Sequence, residues 1–214
     1  MITPTTHGGL QIGRDVMPFR TLDVGVDIDD VLHPWGMTAH GLCEAAGLTG
    51  GNMYTGWKMW EDYGCTEEQW AEVIARAVHE GGLYDVPPIP GSVEVLRRLT
   101  FLGHRVHLVT ARGFMTNGDK IKQHTLDWIS EFAVPHASLT FSKDKPEVAR
   151  RLELDFFIDD AVHNFQALEL EAPQTTTYLL SAPHNLDFWT PFRLESMEEF
   201  GEIVIAYGNQ GGQS

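Results

Sequence analysis

Cysteine is scarce in this 214-residue chain, which contains only Cys43 and Cys65. Two cysteines do not make the disulfide framework of a small secreted domain, so we expect a reducing, cytoplasmic setting. Neither has a CxxC partner, and the histidines show no metal-ligand spacing, which argues against a structural zinc site. Long apolar runs are also missing, since none approaches the roughly 20 residues that span a bilayer. The N-terminus lacks the basic and apolar segments of a secretory signal.

Basic residues are few as well, with 15 Lys and Arg against 30 Asp and Glu and a formal charge of −15. Such a surface opposes binding to polymeric nucleic acid or to an anionic membrane, so we expect neither as a partner. A small anionic substrate stays compatible with this charge, because a bound metal ion can reverse the field inside one pocket. The composition leaves the oligomeric state open.

What the chain does contain is a regular alternation of short apolar runs and helical patterns. Residues 22–28, LDVGVDI, form an apolar run that ends in acids, as expected of a buried parallel strand. Further strands are predicted at 105–110, 138–141, 154–158 and 177–180, and helices at 93–102, 119–132, 146–152 and 163–171. Repeated strand–helix units predict an α/β fold with a Rossmann-like parallel sheet sandwiched by helices.

Residues 33–88 break this alternation. They show no convincing strand but at least two helical patterns, and the clearer one, 66–79, opens with the capping-box residues Thr66 and Gln69. The segment also holds four of the six tryptophans. We therefore predict a small helical module inserted after the first strand.

The chain is predicted to divide into four parts. Residues 21–32 and 89–206 form the core domain, and the helical module at 33–88 interrupts it. Residues 1–20 mix Gly, Pro and Thr without periodicity and are predicted to be a flexible arm. Residues 207–214 are predicted to be a disordered tail.

Polar residues follow the predicted strands at the points where those strands end. Parallel strands bring their carboxyl ends to one edge of the sheet, and open α/β sheets bind ligands at that edge. The residues placed together in this way are Asp27, Asp29, Asp30, Thr110, Ala111, Arg112, Lys143, Lys145, Asp159 and Asp160. Clustered carboxylates repel one another unless a cation is present, and oxygen ligands without His or Cys suit Mg²⁺.

The spacing of Asp27 and Asp29 indicates a reaction. Asp27 is placed to attack phosphorus, while Asp29 lies close enough to exchange a proton with the leaving alkoxide. A lysine and a metal ion would neutralise the phosphoryl oxygens, and the hydroxyl of Thr110 would orient one of them. The sequence therefore predicts a Mg²⁺-dependent phosphatase that forms a phospho-aspartyl intermediate.

Four motifs resemble those of the haloacid dehalogenase-like (HAD) phosphohydrolase superfamily, and they occur in the same order. They are VGVDIDDVL at 24–32, LVTAR at 108–112, the lysine in SKDKPEVA at 142–149 and FFIDD at 156–160. Within that superfamily the chain most resembles the 5′(3′)-deoxyribonucleotidase, or cytosolic type C 5′-nucleotidase, group. The resemblance implies a HAD-like fold, a (deoxy)ribonucleoside monophosphate substrate, and a small helical cap, residues 33–88, that closes over it.

The resemblance also implies roles for single residues. Asp27 would be the nucleophile and Asp29 the acid/base. Lys145 would be the motif lysine, with Lys143 as the competing candidate. Thr110 would hold the hydroxyl position of the second motif.

The metal ligands implied by the resemblance are the carboxylate of Asp27, the backbone carbonyl of Asp29 and an aspartate of the fourth motif. Asp160 is preferred for that third position, and Asp159 is the second candidate. One departure from the group is Asp30, where its members usually have glycine.

The expected substrate contacts are Thr110, Ala111, Arg112, Lys145, Trp57 and Trp60. The role of Arg112 stays open, because it could clamp phosphate or pair with an acid. The role of Trp57 and Trp60, together with Tyr63, also stays open, because they could stack on a base or pack the cap. Two other functions also remain open, namely a phosphatase of a sugar or other metabolite phosphate and a non-catalytic phosphate-binding protein. The acid/base position of Asp29 argues against the latter, because binding alone does not require it.

Overall fold

The computed structural model describes residues 19–114 and 117–210. Within these ranges six strands form one parallel sheet in the order β3-β2-β1-β4-β5-β6. The strands are β1 (Asp23–Val26), β2 (Arg105–Thr110), β3 (Ser138–Phe141), β4 (Phe156–Asp159), β5 (Thr176–Leu180) and β6 (Arg193–Leu194). This parallel sheet with flanking helices confirms the predicted fold class.

The helices alternate with the strands from residue 92 onward. In chain order they are α1 (Trp35–Ala45), α2 (Met59–Tyr63), α3 (Glu67–Glu80), α4 (Ser92–Phe101), α5 (Gly118–Glu131), α6 (Lys145–Arg151), α7 (Val162–Glu171) and α8 (Met197–Gln210). A short 3-10 helix, Pro183–Asn185, follows β5. The order of elements therefore places three helices between β1 and α4, where the sequence predicts an inserted module.

Helices cover both faces of the sheet, because successive residues of a strand point to opposite sides. In β4, Phe156 and Ile158 belong to an apolar cluster shared with α4, α5 and α8. Phe157, between them, packs instead with side chains of α6 and α7. Burial on both faces explains why β4, FFID, is continuously apolar up to its final aspartate.

The predicted cap segment has an apolar cluster of its own. Trp70 and other buried side chains of α1, α2 and α3 form it, and Ile121 of α5 joins them. Helix α3 begins with the predicted capping box, in which the Gln69 N–H donates to Thr66 Oγ1 at 3.2 Å and the Thr66 N–H donates to Gln69 Oε1 at 2.9 Å. The boundaries of a separate cap domain at residues 33 and 88 stay a prediction.

The C-terminal segment differs from the sequence-based prediction. Helix α8 continues to Gln210, so residues 207–210 are helical and the predicted disordered tail does not begin at 207. Phe200 and Val204 bury one side of this helix in the main core, which stabilises it in spite of its glycines. The two-residue strand β6 was not predicted either, because so short a run has no periodicity. Residues 211–214 of the predicted tail lie outside the described residues.

The predicted arm, residues 1–20, lies mostly outside the described residues, and its last two residues contact the core. The Arg20 N–H donates to the Gly208 carbonyl at 3.0 Å. The ring of Phe19 lies 4.8 Å from that of His104, measured between centroids. These contacts attach residues 19 and 20 to the core domain.

Both cysteines are free thiols in the structure. Within residues 19–114 and 117–210, none of the helices combines the length and the apolarity that a membrane crossing requires. His33, His104 and His107 are buried.

Gly25 generates a prediction about the centre of the sheet. It pairs with Phe157 on β4, and a Cβ at residue 25 would lie 2.5 Å from Phe157 Cδ2 and 2.7 Å from Leu154 Cδ1. Both side chains are fully buried and have no room to move. We expect Gly25→Ala to lower the free energy of unfolding by about 1–3 kcal/mol through overpacking.

Gly41→Ala is the matched control, because no atom lies within 4 Å of a Cβ at this exposed position in α1. It should be neutral or stabilising by up to about 1 kcal/mol, since alanine favours helix. Urea unfolding of both variants measures the difference, and equal stabilities would contradict the close packing at Gly25.

Candidate active site

Three aspartate side chains converge at the carboxyl edge of the sheet. Asp27 directly follows β1, and its N–H donates to the Ile158 carbonyl at 3.1 Å. Asp159 ends β4, the neighbour of β1, and Asp160 follows it. All three are buried. The structure thus brings together the carboxylates of the first and fourth motifs, as the sequence predicts.

Lys145 inserts its ammonium group between two of these carboxylates. Its Nζ lies 2.9 Å from Asp27 Oδ1 and 2.5 Å from Asp159 Oδ2, and the residue is 1% exposed. Asp144 fixes this position, because its carboxylate caps α6 by accepting the Glu147 N–H at 2.9 Å. Burial alone would lower the pKa of Lys145, but the carboxylates of Asp159 and Asp27 outweigh burial and raise it.

The competing candidate, Lys143, has a different environment. Its side chain is exposed, and its Nζ lies 5.7 Å from the centroid of the Phe114 ring. It lines the outer part of the same site without an ion pair to the three aspartates. The geometry therefore favours Lys145 as the lysine of the cluster.

One lysine does not neutralise three buried carboxylates. Burial raises the pKa of Asp27 and Asp160 well above the usual aspartate range, and Asp159 adds to this effect, although Lys145 opposes it. Asp27, Asp159 and Asp160 each offer one oxygen, and these oxygens lie within 4.8 Å of one another. A group of hard oxygen donors with excess negative charge fits a hard divalent cation.

Asp159 has both carboxylate oxygens occupied by protein donors. Oδ2 accepts from Lys145, while Oδ1 accepts the Ala161 N–H at 2.9 Å and the Asn164 side-chain amide at 3.1 Å. Asp160 has no comparable set of donors from its own helix. Of the two fourth-motif aspartates, Asp160 is therefore the one with coordinating capacity to spare.

Asp29 points away from this cluster and pairs with Arg112. Arg112 Nε lies 2.9 Å from Asp29 Oδ1 and 3.1 Å from Oδ2, and its Nη2 lies 2.5 Å from Oδ1. The guanidinium is buried, donates to Thr125 Oγ1 at 3.3 Å and stacks over the Tyr84 ring at 4.6 Å from the centroid. In this structure Arg112 thus pairs with an acid, and that acid is the predicted acid/base; its contact with phosphate stays a prediction.

Thr110 lies behind the cavity surface. It is fully buried at the end of β2, and its Oγ1 accepts the Arg112 N–H at 3.2 Å. Ala111, Arg112 and Lys145 line the cavity, whereas Thr110 is not among its lining residues. Its contact with a phosphoryl oxygen stays a prediction.

Asp30, where the similar group usually has glycine, has a left-handed backbone with φ of 53°. Glycine adopts this conformation without strain, and aspartate is among the few other residues that accept it. The Asp30 Oδ1 accepts the Gly36 N–H at 2.8 Å near the start of α1, which offsets part of the backbone cost. Burial and then the nearby Asp160 carboxylate raise the pKa of Asp30 to about 7. Asp30 thus lines the site.

A cavity of about 630 Å³ joins the carboxylates to the aromatic side chains of the predicted cap. Trp57 and Trp60 both line it. Trp57 is 60% exposed, whereas the ring of Trp60 packs 5.2 Å from that of Trp70. Tyr63 lies outside the cavity lining and is buried in the cap, with its hydroxyl 2.8 Å from His40 Nδ1. Of these three aromatic residues, Tyr63 packs the cap, Trp60 lines the cavity and also packs the cap, and Trp57 is the most exposed to a ligand.

Sequence reasoning missed two histidines at this site. The Trp57 ring lies edge-on to His163 at 4.9 Å and to His184 at 5.3 Å, and both histidines line the cavity. Burial lowers the pKa of both imidazoles. The rule that collects residues after parallel strands would have found His184, four residues after β5, had it been applied to that strand.

Comparison with known proteins adds independent findings. A model of the family described as 5′ nucleotidase, deoxy (Pyrimidine), cytosolic type C protein matches residues 20–209. "Putative nucleotidase OB0422" of Oceanobacillus iheyensis is 25% identical over 146 residues, which cover 64% of this chain and 75% of that protein.

Two solved structures share the fold. The haloacid dehalogenase-like hydrolase SP0104 of Streptococcus pneumoniae aligns with a TM-score of 0.59 at 11% identity, covering 87% of this chain and 98% of that one. The D,D-heptose 1,7-bisphosphate phosphatase of B. bronchiseptica, complexed with magnesium and phosphate, aligns with a TM-score of 0.50 at 13% identity, covering 87% and 99%. At these identities the similarity establishes a HAD-like fold.

The charge balance of the cluster predicts the effect of removing its lysine. Lys145→Met keeps the length of the side chain but leaves the buried carboxylates without their protein cation. In EDTA we expect the free energy of unfolding to fall by about 3–5 kcal/mol. Because burial raises the pKa of Asp27 and Asp160, the folded state binds more protons than the unfolded state, so the variant should lose further stability as the pH rises.

Lys143→Met provides the control, since this exposed lysine has no contact with the three aspartates. It should change stability by no more than about 0.5 kcal/mol. Urea unfolding at several pH values measures both variants. Equal losses in the two would contradict the assignment of Lys145 as the compensating charge.

Proposed function

Because this chain belongs to the cytosolic type C 5′-nucleotidase family of HAD-like phosphoric monoester hydrolases, we propose that it hydrolyses a (deoxy)ribonucleoside monophosphate. One observation carries this proposal: the cavity that Asp27 and Lys145 line also contains the exposed aromatic ring of Trp57. A phosphate bound at the carboxylate end would leave the base of a nucleotide near that ring.

The proposed reaction has two steps. An oxygen of Asp27 attacks phosphorus and forms an acyl-phosphate, while the ester bond breaks and its electron pair leaves with the nucleoside oxygen. Asp29 supplies the proton that the leaving oxygen takes up. Water then attacks the acyl-phosphate, gives a proton to Asp29, and releases inorganic phosphate and the free Asp27 carboxylate.

We propose Mg²⁺ as the metal of this site. Asp27, Asp160 and the backbone carbonyl of Asp29 would hold it, because both oxygens of Asp159 already accept from protein donors. The bound ion would neutralise negative charge on the phosphoryl oxygens. The B. bronchiseptica phosphatase, complexed with magnesium and phosphate, supports this choice of metal.

Arg112 has a defined part in the proposed reaction. In the structure it binds both oxygens of Asp29, so proton exchange with the substrate requires that at least one oxygen be released. A phosphate entering beside Ala111 and Lys145 offers the guanidinium an alternative anionic partner. Arg112 would therefore orient Asp29 before binding and contact the phosphate after it.

The proposed partners are small molecules. The formal charge of −15 opposes polymeric nucleic acid and anionic membranes as partners. The free thiols of Cys43 and Cys65 fit a reducing cytoplasm, which we propose as the setting.

The activity is tested by phosphate release from a panel of substrates. The panel contains deoxy- and ribonucleoside 5′- and 3′-monophosphates, sugar phosphates and p-nitrophenyl phosphate, each with Mg²⁺ or EDTA. We expect Mg²⁺-dependent release with a preference for nucleotides, and no release by Asp27→Asn. Asp127→Asn, which changes an exposed aspartate on α5, should behave as wild type.

The outcomes of this panel separate the parts of the proposal. Phosphatase activity in Asp27→Asn would refute the nucleophile assignment. A preference for sugar phosphates would keep the chemistry and refute the nucleotide substrate. No release from any compound would favour a binding protein over an enzyme.

The proposed role of Trp57 predicts a selective change in KM. Stacking of a base on an aromatic ring contributes about 1–3 kcal/mol, so Trp57→Ala should raise KM for a nucleotide about 5-fold or more. KM for ribose 5-phosphate, which has no base, should change much less. Trp189, which is 82% exposed and does not line the cavity, provides the control variant Trp189→Ala. Equal changes in KM for both substrates would show that Trp57 does not contact the base.

A further inference from the structure

The segment after β5 reaches the proposed metal site from the side opposite Lys145. Strand β5 pairs with β4 in parallel, with Leu179 opposite Asp159. The chain leaving β5 therefore emerges beside Asp160. The short 3-10 helix Pro183–Asn185 then turns two consecutive polar side chains, His184 and Asn185, towards that residue.

His184 contacts the carboxylate of Asp160. The distance from His184 Nε2 to Asp160 Oδ2 is 2.9 Å, and both side chains are at least nine-tenths buried. The angles of this contact are not those of a formed hydrogen bond, and Nε2 has no hydrogen-bond partner of good geometry among the described residues. An N–H at Nε2 is therefore available to donate to Asp160 Oδ2, which would leave the other oxygen for a cation. Histidine and aspartate at this distance resemble the outer-sphere contacts that orient metal-binding carboxylates.

Asn185 holds the backbone of the same aspartate. Its side-chain amide donates to the Asp160 carbonyl at 2.7 Å and to the Leu180 carbonyl at 2.8 Å. Its own Oδ1 accepts from the Ala182 N–H at 3.1 Å and from Arg193 Nη1 at 2.7 Å. With both ends of the amide in use, Asn185 is fixed in one orientation and fixes Asp160 in turn.

We propose that His184 is a positioning residue for Asp160 and that it sets the affinity of the site for its divalent cation. Asn185 fixes the backbone, and His184 fixes the direction of the carboxylate. This inference rests on the proposed function in one respect, namely that Asp160 binds the metal. The residue does not touch the phosphate and takes no part in proton transfer.

The neighbouring carboxylate of Asp30 makes the contact between His184 and Asp160 more important. One oxygen of Asp30, one of Asp160 and a ring nitrogen of His184 lie within 4.8 Å of one another. Two carboxylates at this separation repel, and the repulsion would turn Asp160 towards the Lys145 side of the site. A hydrogen bond from Nε2 of His184 would oppose that rotation, so the need for it is greater here than where glycine occupies position 30.

The contact between His184 and Trp57 requires a control. The two rings lie 5.3 Å apart, so a change at residue 184 also disturbs the cap. His163 has the same edge-on contact with Trp57, at 4.9 Å, and is not in the group that Asp160 forms with Asp30 and His184. His163→Phe therefore reproduces the cap disturbance without removing the contact with Asp160.

The test measures Mg²⁺ binding to the full chain by isothermal titration calorimetry without substrate. His184→Phe keeps the ring and removes the N–H, and we expect its Kd for Mg²⁺ to rise about 10-fold or more. His184→Gln, which replaces Nε2 with an amide donor, should recover most of the affinity. His163→Phe should bind Mg²⁺ as wild type does.

A kinetic measurement separates positioning from a general structural role. The Mg²⁺ concentration for half-maximal phosphate release should rise in His184→Phe, while kcat at saturating Mg²⁺ approaches the wild-type value. If His184→Phe does not fold, as judged by circular dichroism, the comparison of His184→Gln with His163→Phe and wild type carries the test. We then expect His184→Gln, which keeps a donor at the Nε2 position, to bind Mg²⁺ with nearly the affinity of His163→Phe and of wild type.

Four results would overturn the inference. They are unchanged Mg²⁺ affinity in His184→Phe, an equal loss in His163→Phe, a second equivalent of metal bound through His184, and no Mg²⁺ binding by the wild-type chain. The last of these would also refute the proposed metal site. Failure of the nucleotide substrate would be distinguishable, because the calorimetry contains no substrate and its outcome would stand.

Discussion

The parallel pairing of β1 with β4 is the constraint on which the site depends. It forces the residues that follow both strands to the same edge of the sheet, where Asp27, Asp159 and Asp160 are buried together. Buried carboxylates are costly without a positive partner, so the fold must bring a cation to this edge. The capped first turn of α6 does so with Lys145. The pairing of β1 with β4 brings the carboxylates together, and the capped start of α6 places the lysine that compensates their charge.

Two aspartates separated by one residue have opposite surroundings. Asp27 faces a buried lysine and other carboxylates, whereas Asp29 faces an arginine held by Tyr84 and Thr125. Different environments for neighbouring carboxylates are a common way to give them different chemical tasks. The division here follows from the tight turn after β1, in which Ile28 is buried between the two and its carbonyl accepts N–H groups from the following residues. Side-chain identity alone would not separate the roles.

The sequence predicted the fold class and the converging carboxylates because both follow from local patterns. Apolar runs mark the strands, and parallel strands share an edge, so Asp27 and Asp160 could be placed together without a structure. The direction in which Asp29 points could not be predicted, since it depends on a partner, Arg112, 83 residues away. Helix α8 was not predicted, because its glycines masked an amphipathic pattern that packing against the core stabilises. His184 was overlooked because the search for polar residues after the strands did not extend to β5, four residues before it.

The order of synthesis gives the sheet register a further consequence. Strand β1 leaves the ribosome early, but one of its two hydrogen-bonding neighbours, β4, begins at Phe156, far later in the chain. Contacts between such distant residues form late and slow the folding of a domain. A nascent chain that ends before Phe156 therefore lacks Asp159 and Asp160, two of the three carboxylates of the cluster. The carboxylates of the site can come together only after β4 has been synthesised and has paired with β1.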